Sequence, residues 1–136
     1  ANDVFQQVVG RYLDRNRSTL ATLRQIHPMP PRVTEAMTRK DLAAFGELVG
    51  EAWRQNKQLD PNSTNEAVEE LFRCIAPYIY GAKLIGAGGG GFLMMVCKSP
   101  KDAAFVRQML ESEPPNKRAR FFDFDVSRKG LVVSAC

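Results

Sequence analysis

The segment Gly86-Ala87-Gly88-Gly89-Gly90-Gly91 constrains this chain more than any other. Four glycines in a row are entropically costly to hold in one conformation, so their use lies in permissive backbone or close approach. Short apolar runs, Ala82 to Ile85 and Phe92 to Cys97, flank the segment. Both flanks are strand material, which does not suit a linker. Gly86-x-Gly88-x-x-Gly91 formally matches a dinucleotide fingerprint, but that motif opens a crossover helix inside a βαβ unit. Here the run Phe92-Leu93-Met94-Met95-Val96 ends soon after, before Pro100, and no acidic residue stands where a ribose partner belongs. A Walker loop is excluded because no Gly-Lys-Ser/Thr follows. Two readings stay open: a plain hairpin tip, and a tip whose bare amides face an anion or a neighbouring loop.

Upstream the period is helical. Phe5, Val8, Val9, Tyr12, Leu13, Leu20, Leu23 and Ile26 follow three- and four-residue steps and predict one amphipathic helix. His27-Pro28-Met29-Pro30-Pro31 is expected to break it. A second helix is expected after Thr38, which with Asp41 resembles a capping box, and carries Leu42, Phe45, Val49 and Ala52 with Trp53 alongside. Asp60-Pro61-Asn62-Ser63 reads as a turn, and Thr64 or Asn65 caps a third helix with Val68, Leu71, Phe72 and Ile75, ended by Pro77.

Downstream of the loop, Pro100 starts a helix near Lys101 to Glu111, with Ala103, Val106 and Leu110 inward, and Pro114-Pro115-Asn116 stops it. Phe122, Phe124 and Val126 alternate with Asp123 and Asp125 as in a half-buried strand, and Leu131 to Ser134 reads as a closing strand after the turn at Ser127-Arg128-Lys129-Gly130. The predicted fold class is α+β: residues 82–86, 91–97, 119–126 and 131–135 share an antiparallel sheet of about four strands, covered by helices on one face.

Composition sets the class. With 136 residues, 44% hydrophobic and 25% charged, the chain fits one globular domain, helical over 1–80 and sheet-bearing over 81–136. No apolar run approaches the roughly 20 residues of a membrane helix. Cys74, Cys97 and Cys136 lie far apart without C-x-x-C spacing, and the single histidine, His27, sits in a turn, so no metal site is expected. The cysteines read as reduced small hydrophobes in apolar stretches, and the compartment as cytoplasmic. The net charge of +4 comes from residues 1–40, which hold seven Lys/Arg against three Asp/Glu; the remainder holds twelve of each. Arg11, Arg15, Arg17 and Arg24 lack interleaved aromatics, so a solvated helix face, or one meeting an acidic neighbour, is preferred over nucleic acid.

The run Gly81 to Gly91 followed by an apolar strand resembles the third motif of the GHMP kinases, found in their C-terminal domain. Glu51-Ala52-Trp53-Arg54 and Leu59-Asp60-Pro61-Asn62-Ser63-Thr64-Asn65-Glu66, at this distance upstream, are similar to the kinase portion of L-fucokinases, including those fused to a GDP-fucose pyrophosphorylase. Heptose 7-phosphate kinases are similar but tend to lack the Leu-Asp-Pro element. The resemblance is specific over residues 47–97, fair over 98–136 and thin before 40. It implies a ferredoxin-like C-terminal domain of an ATP-dependent sugar kinase phosphorylating the anomeric hydroxyl of L-fucose or a related sugar. It also implies that ATP and Mg2+ are bound mainly by an N-terminal domain whose phosphate loop and acidic residues this sequence does not contain. No cofactor is expected in this segment by itself, and no catalytic residue. The expected partners are that N-terminal domain and the sugar, with no membrane and no nucleic acid.

The resemblance further implies that Gly86, Gly88, Gly89, Gly90 and Gly91 lie near the phosphate loop and substrate. Trp53 reads as core or an interdomain contact, with sugar stacking as the sharper alternative. Asp60 and Asn65 read as turn and cap groups, Asp60 also as a candidate substrate or interdomain contact. Lys83 could reach a phosphate, though on a short strand it is expected to face solvent. Asp123 and Asp125 read as a solvated sheet face. A free-standing metabolite-sensing module and a heptose 7-phosphate kinase domain are the competing readings.

Overall fold

A computed structural model describes residues 2–86, 91–127 and 129. Among them are six α-helices and one hairpin: α1 (Asn2–Leu13), α2 (Arg17–Ile26), α3 (Met29–Thr38), α4 (Leu42–Leu59), α5 (Glu66–Ile75), β1 (Ile79–Ile85), β2 (Phe92–Cys97) and α6 (Pro100–Ser112). Short 3-10 turns at Pro61–Ser63 and Ala76–Tyr78 join α4 to α5 and α5 to β1.

The helix predicted from Phe5 to Ile26 is two helices. Arg15 takes a left-handed φ of 54°, and the amides of Arg15 and Asn16 return to the carbonyls of Tyr12 and Arg11 at 3.0 and 2.9 Å. That is a Schellman closure with arginine where glycine usually stands. Asn16 then caps α2, its side chain accepting from the Thr19 amide at 3.0 Å. The proline cluster does not break the chain into a turn alone. Pro28 is the N-cap of α3, and Pro30 and Pro31 fall in its first turn, where amides have no partner to lose. Nor does Thr38 cap α4. Its hydroxyl donates back to the Thr34 carbonyl at 2.8 Å, Lys40 (φ 54°) closes α3, and Asp41 is the cap, accepting from the Ala44 amide at 3.0 Å. Asn65 caps α5.

The central packing event is α4 against β1. A Cβ on Gly81 would strike the backbone of Gly46, with the Gly46 carbonyl carbon at 2.8 Å and the Gly50 amide nitrogen at 2.9 Å. A Cβ on Gly46 would strike the Cβ of Tyr80 and stand 3.2 Å from Val96. Glycines four apart on the helix therefore let its backbone lie on the strand. The β1–β2 register runs antiparallel from Ile85↔Phe92 to Gly81↔Val96, then slips so that Ile79 faces Cys97. Tyr80 is the extra residue of that bulge.

Side chains alternate across a strand. Gly81 and its partner Val96 meet α4, whereas Ala82, Leu93 and Met95 pack with Ile75 of α5 and Val106 of α6. Helices therefore cover both faces of the hairpin, which corrects the expectation of one covered face. Ile75 (0% exposed) and Val106 (1%) centre this cluster; Met29, Ala36 and Leu48 form another between α3 and α4.

Among the described residues the sheet has two strands rather than about four. Residues 119–126 are irregular: alternation supplies two faces, but a strand also requires a hydrogen-bonded neighbour. Phe122 meets Phe92 edge-on at 5.1 Å, and Phe124 is 80% exposed. The predicted strand 131–135 lies outside the described residues. Within α6, Val106 faces in as predicted, but Ala103 is exposed. Cys74 is also exposed, near Glu70, instead of buried; Cys97 is half-buried, and both thiols are free.

The Gly81 contact generates a stability test. Gly81→Ala forces a methyl into backbone that cannot step aside and is expected to cost about 3 kcal/mol. Gly10→Ala, in open space on α1, is expected to gain about 0.5 kcal/mol from helix propensity. Urea unfolding of the two variants measures the contrast.

Candidate functional site

Gly86 and Gly91 bracket the hairpin tip with φ of 104° and 118°, a left-handed backbone that L side chains rarely adopt. A Cβ on Gly91 would also stand 3.0 Å from the Ile85 carbonyl oxygen. Both positions therefore favour glycine. Gly88, Gly89 and Gly90 lie outside the described residues. Around the tip, Ile85 and Phe92 are exposed.

Lys83 pairs with Met94 on β1 and is half-buried. By alternation it shares the α4 face with Gly81, two residues nearer the tip. No carboxylate occurs between Ile79 and Cys97. Toward the tip, from Gly81 to Val96, the hairpin's donors are therefore amides and the Lys83 ammonium, a set that suits an anion.

Trp53 and Asp60 lie elsewhere. Trp53 is 4% exposed, stacked on Phe72 at 5.5 Å, with the Lys57 ammonium 5.7 Å from its ring centroid. It stands beside Ile79 and Gly81 at the base of the hairpin, while Gly86 is about 17 Å beyond Gly81 along the strand at roughly 3.3 Å per residue. Asp60 is 4% exposed at the end of α4. One of its oxygens accepts from the Asn62 amide at 3.2 Å, and its carbonyl accepts from the Ser63 amide and hydroxyl at 3.0 and 2.7 Å. The structure thus gathers Gly86, Gly91 and Lys83 on one hairpin and keeps Trp53 and Asp60 apart from them.

A feature absent from the sequence reading is a polar groove of about 500 Å3 between α3, α4 and Tyr80, lined by Arg32, Glu47, Glu51 and Arg54. It runs past Gly50 and Arg54 into a second hollow of about 360 Å3 beside Trp53 and Glu69. Arg32 and Glu51 pair across it at 2.9 Å, and that hydrogen bond raises the guanidinium's pKa. The helical steps Glu47, Glu51 and Arg54 were the signal: residues three and four apart share a face. The bulge that aims Tyr80 there left no trace in the sequence.

Beyond Trp53, Glu69 accepts from the Thr64 hydroxyl at 2.7 Å and the Lys57 ammonium at 2.9 Å. These bonds, Thr64 first, hold the Glu69 pKa below its ordinary 4.5. Burial pushes the Cys97 thiol up.

A family model described as the GHMP kinases C terminal matches residues 33–116. The chain is 38% identical over 134 residues to a Bacteroides fragilis L-fucokinase/L-fucose-1-P guanylyltransferase, covering 98% of this chain and 14% of that protein. It is 37% identical over 111 residues to an Arabidopsis thaliana bifunctional fucokinase/GDP-fucose pyrophosphorylase, covering 82% of this chain and 10% of that protein. A Campylobacter jejuni D-glycero-alpha-D-manno-heptose 7-phosphate kinase is 23% identical over 132 residues, 96% of this chain and 37% of that one. The chain therefore spans a small part of each of these relatives.

The Glu69 cluster sets a pH test. A carboxylate whose folded pKa is depressed adds stability that is complete above its unfolded pKa and disappears as pH falls through the folded value. Thr64→Val removes the leading cause, so the variant's loss of stability between about pH 6 and about pH 3 is expected to be shallower than wild type's. Urea midpoints across that range read it out; parallel curves contradict it.

Proposed function

Because this chain belongs to the GHMP kinases C-terminal family, we propose that it forms the C-terminal lobe of an ATP-dependent sugar kinase acting on the anomeric hydroxyl of L-fucose or a related sugar. The observation that carries the reading is the glycine tip. Gly86 and Gly91, both in left-handed backbone, flank the turn of a hairpin that packs on α4. The similarity to two bifunctional fucokinase proteins along most of the chain supports the sugar.

In this reading Gly86 to Gly91 lie against the nucleotide-phosphate loop and near the sugar, completing the cleft between the two domains. Phosphoryl transfer rests mainly on positioning and electrostatic stabilisation, so a lobe without a base still contributes to rate. The fit to each group differs. Backbone amides and Lys83 suit the anionic phosphates of ATP. The hairpin has no carboxylate for Mg2+, and among the described residues no three His, Cys, Asp or Glu gather as metal ligands. In this reading magnesium is held mainly by the N-terminal domain, as the family resemblance implies. Trp53, stacked in the core on Phe72, acts in this reading as packing beneath the site rather than as a sugar platform.

The proposed partner is an N-terminal kinase domain in the same polypeptide. Phe5, Tyr12 and Leu13 on α1, and Ile85 and Phe92 at the tip, expose apolar surface of the kind an adjoining domain covers.

Two measurements test the proposal. The chain alone is expected to give no ATP-dependent phosphorylation of L-fucose; turnover abolished by a point change within it overturns the reading. In the intact kinase, Gly89→Val or Gly90→Val is expected to lower turnover on the order of 100-fold with the melting temperature unchanged, while Lys83→Ala is milder. Near wild-type turnover in normally folded glycine variants reduces the loop to a hairpin tip.

A further inference from the structure

The last pair of the β1–β2 ladder, Ile85↔Phe92, stands outside the core, with both side chains exposed. Phe92 directly follows Gly91, whose φ of 118° sets one side of the turn. A hairpin end with so few buried contacts opens easily unless something beyond the ladder holds it. The Phe122 ring supplies that contact. It meets the Phe92 ring edge-on, with centroids 5.1 Å apart, from a segment that belongs to neither strand.

The path of that segment explains how Phe122 arrives there. After α6 ends at Ser112, residues 113–120 are exposed. The chain turns at Asn116, whose side chain accepts from the Arg118 amide at 2.9 Å and whose carbonyl accepts from the Ala119 amide at 3.1 Å. Phe121 is the first shielded residue beyond the helix, with the Arg107 guanidinium of α6 at 4.8 Å from its ring centroid. The next ring, Phe122, carries the Arg120 guanidinium at 4.9 Å. Consecutive aromatics therefore grip two elements: Phe121 meets α6, and Phe122 meets the first residue of β2. Edge-on rings attract through their quadrupoles, and a guanidinium over a ring face does the same. The two contacts in series tie the open end of the hairpin to α6, which Val106 anchors in the core.

We infer that Phe122 is a positioning residue: by bracing Phe92 it fixes the backbone at Gly91 for the phosphate-bearing ligand that meets the turn. The nature of that ligand rests on the sugar-kinase reading, whereas the brace does not. Where rate depends on alignment, a wandering backbone costs turnover before it costs binding.

Hydrogen exchange of the full chain and steady-state kinetics of the intact kinase test this on Phe122→Ala, Phe122→Tyr and Phe124→Ala. Phe122→Ala is expected to speed amide exchange at the turn end of the ladder, residues 85 and 91–93, about tenfold, with residues 95–97 unchanged. In the kinase the same change is expected to lower kcat about tenfold while KM for ATP and for the sugar stays within about twofold. Tyrosine keeps the ring and is expected to restore both readouts. Phe124→Ala removes an exposed ring two residues on and is expected to alter neither. Exchange at residues 91–93 equal to wild type in Phe122→Ala overturns the brace. Faster exchange with unchanged kcat, or a loss of turnover that Phe124→Ala reproduces, overturns the positioning role. Absence of sugar phosphorylation by the wild-type protein overturns the kinase reading instead, and the exchange result still decides the brace.

Discussion

The contact of Gly46 and Gly50 on Gly81 is the constraint from which the rest of the structure follows. Helix backbone lies directly on strand backbone there, because no Cβ intervenes on either side. Close approach maximises dispersion contact and leaves no room for a void. It also fixes which face of the hairpin α4 covers. The opposite face is thereby left for Ala82, Leu93 and Met95 to pack against α5 and α6. A hairpin of two strands is marginal in isolation, and this one is held because it is clamped from both faces. The clamp ends near Leu84, beyond which Ile85 and Gly86 emerge from the core.

The polar groups follow the same division. Lys57, Thr64 and Glu69 bond one another where α4 and α5 converge over Trp53. Arg32 and Glu51 tie α3 to α4 along the groove. The pairs at the surface are partly exposed and contribute modestly, so their effect is on the relative placement of helices more than on overall stability. The hairpin has no such pairs. Beside its turn Ile85 and Phe92 are exposed, which suits the proposed role at a site that another domain completes.

Much of the element content was legible, and the misses have physical causes. Helical periodicity found α4, α5 and α6, and the glycine segment found the hairpin with its strand ends displaced by at most three residues. Periodicity failed at the boundaries between α1 and α2 and around α3. There the helices close on Arg15 and Lys40 in left-handed backbone, where glycine is the usual signal, and prolines sit in a first turn that tolerates them. Alternation from Phe122 to Val126 suggested a strand, but the segment lacks a paired neighbour among the described residues. Of the candidate site, Gly86, Gly91 and Lys83 were placed together by adjacency in sequence. The groove lined by Arg32, Glu51, Arg54 and Tyr80 was not, since it draws on three separate elements.

By itself the sequence determined what is local: which segments are helical, where glycine is obligatory, and that two apolar runs must fold back across a glycine turn. Dihedral preferences and side-chain period act over a few residues, so a single chain displays them openly. Only the tertiary structure decided which faces meet. It put Gly81 under α4, set Tyr80 in a bulge facing the groove beside α4, buried Trp53 against Phe72, and brought Arg11 to the Leu59 carbonyl across 48 positions of sequence. Such contacts depend on the simultaneous fit of distant surfaces at close-packed density, a condition that no short window of residues encodes.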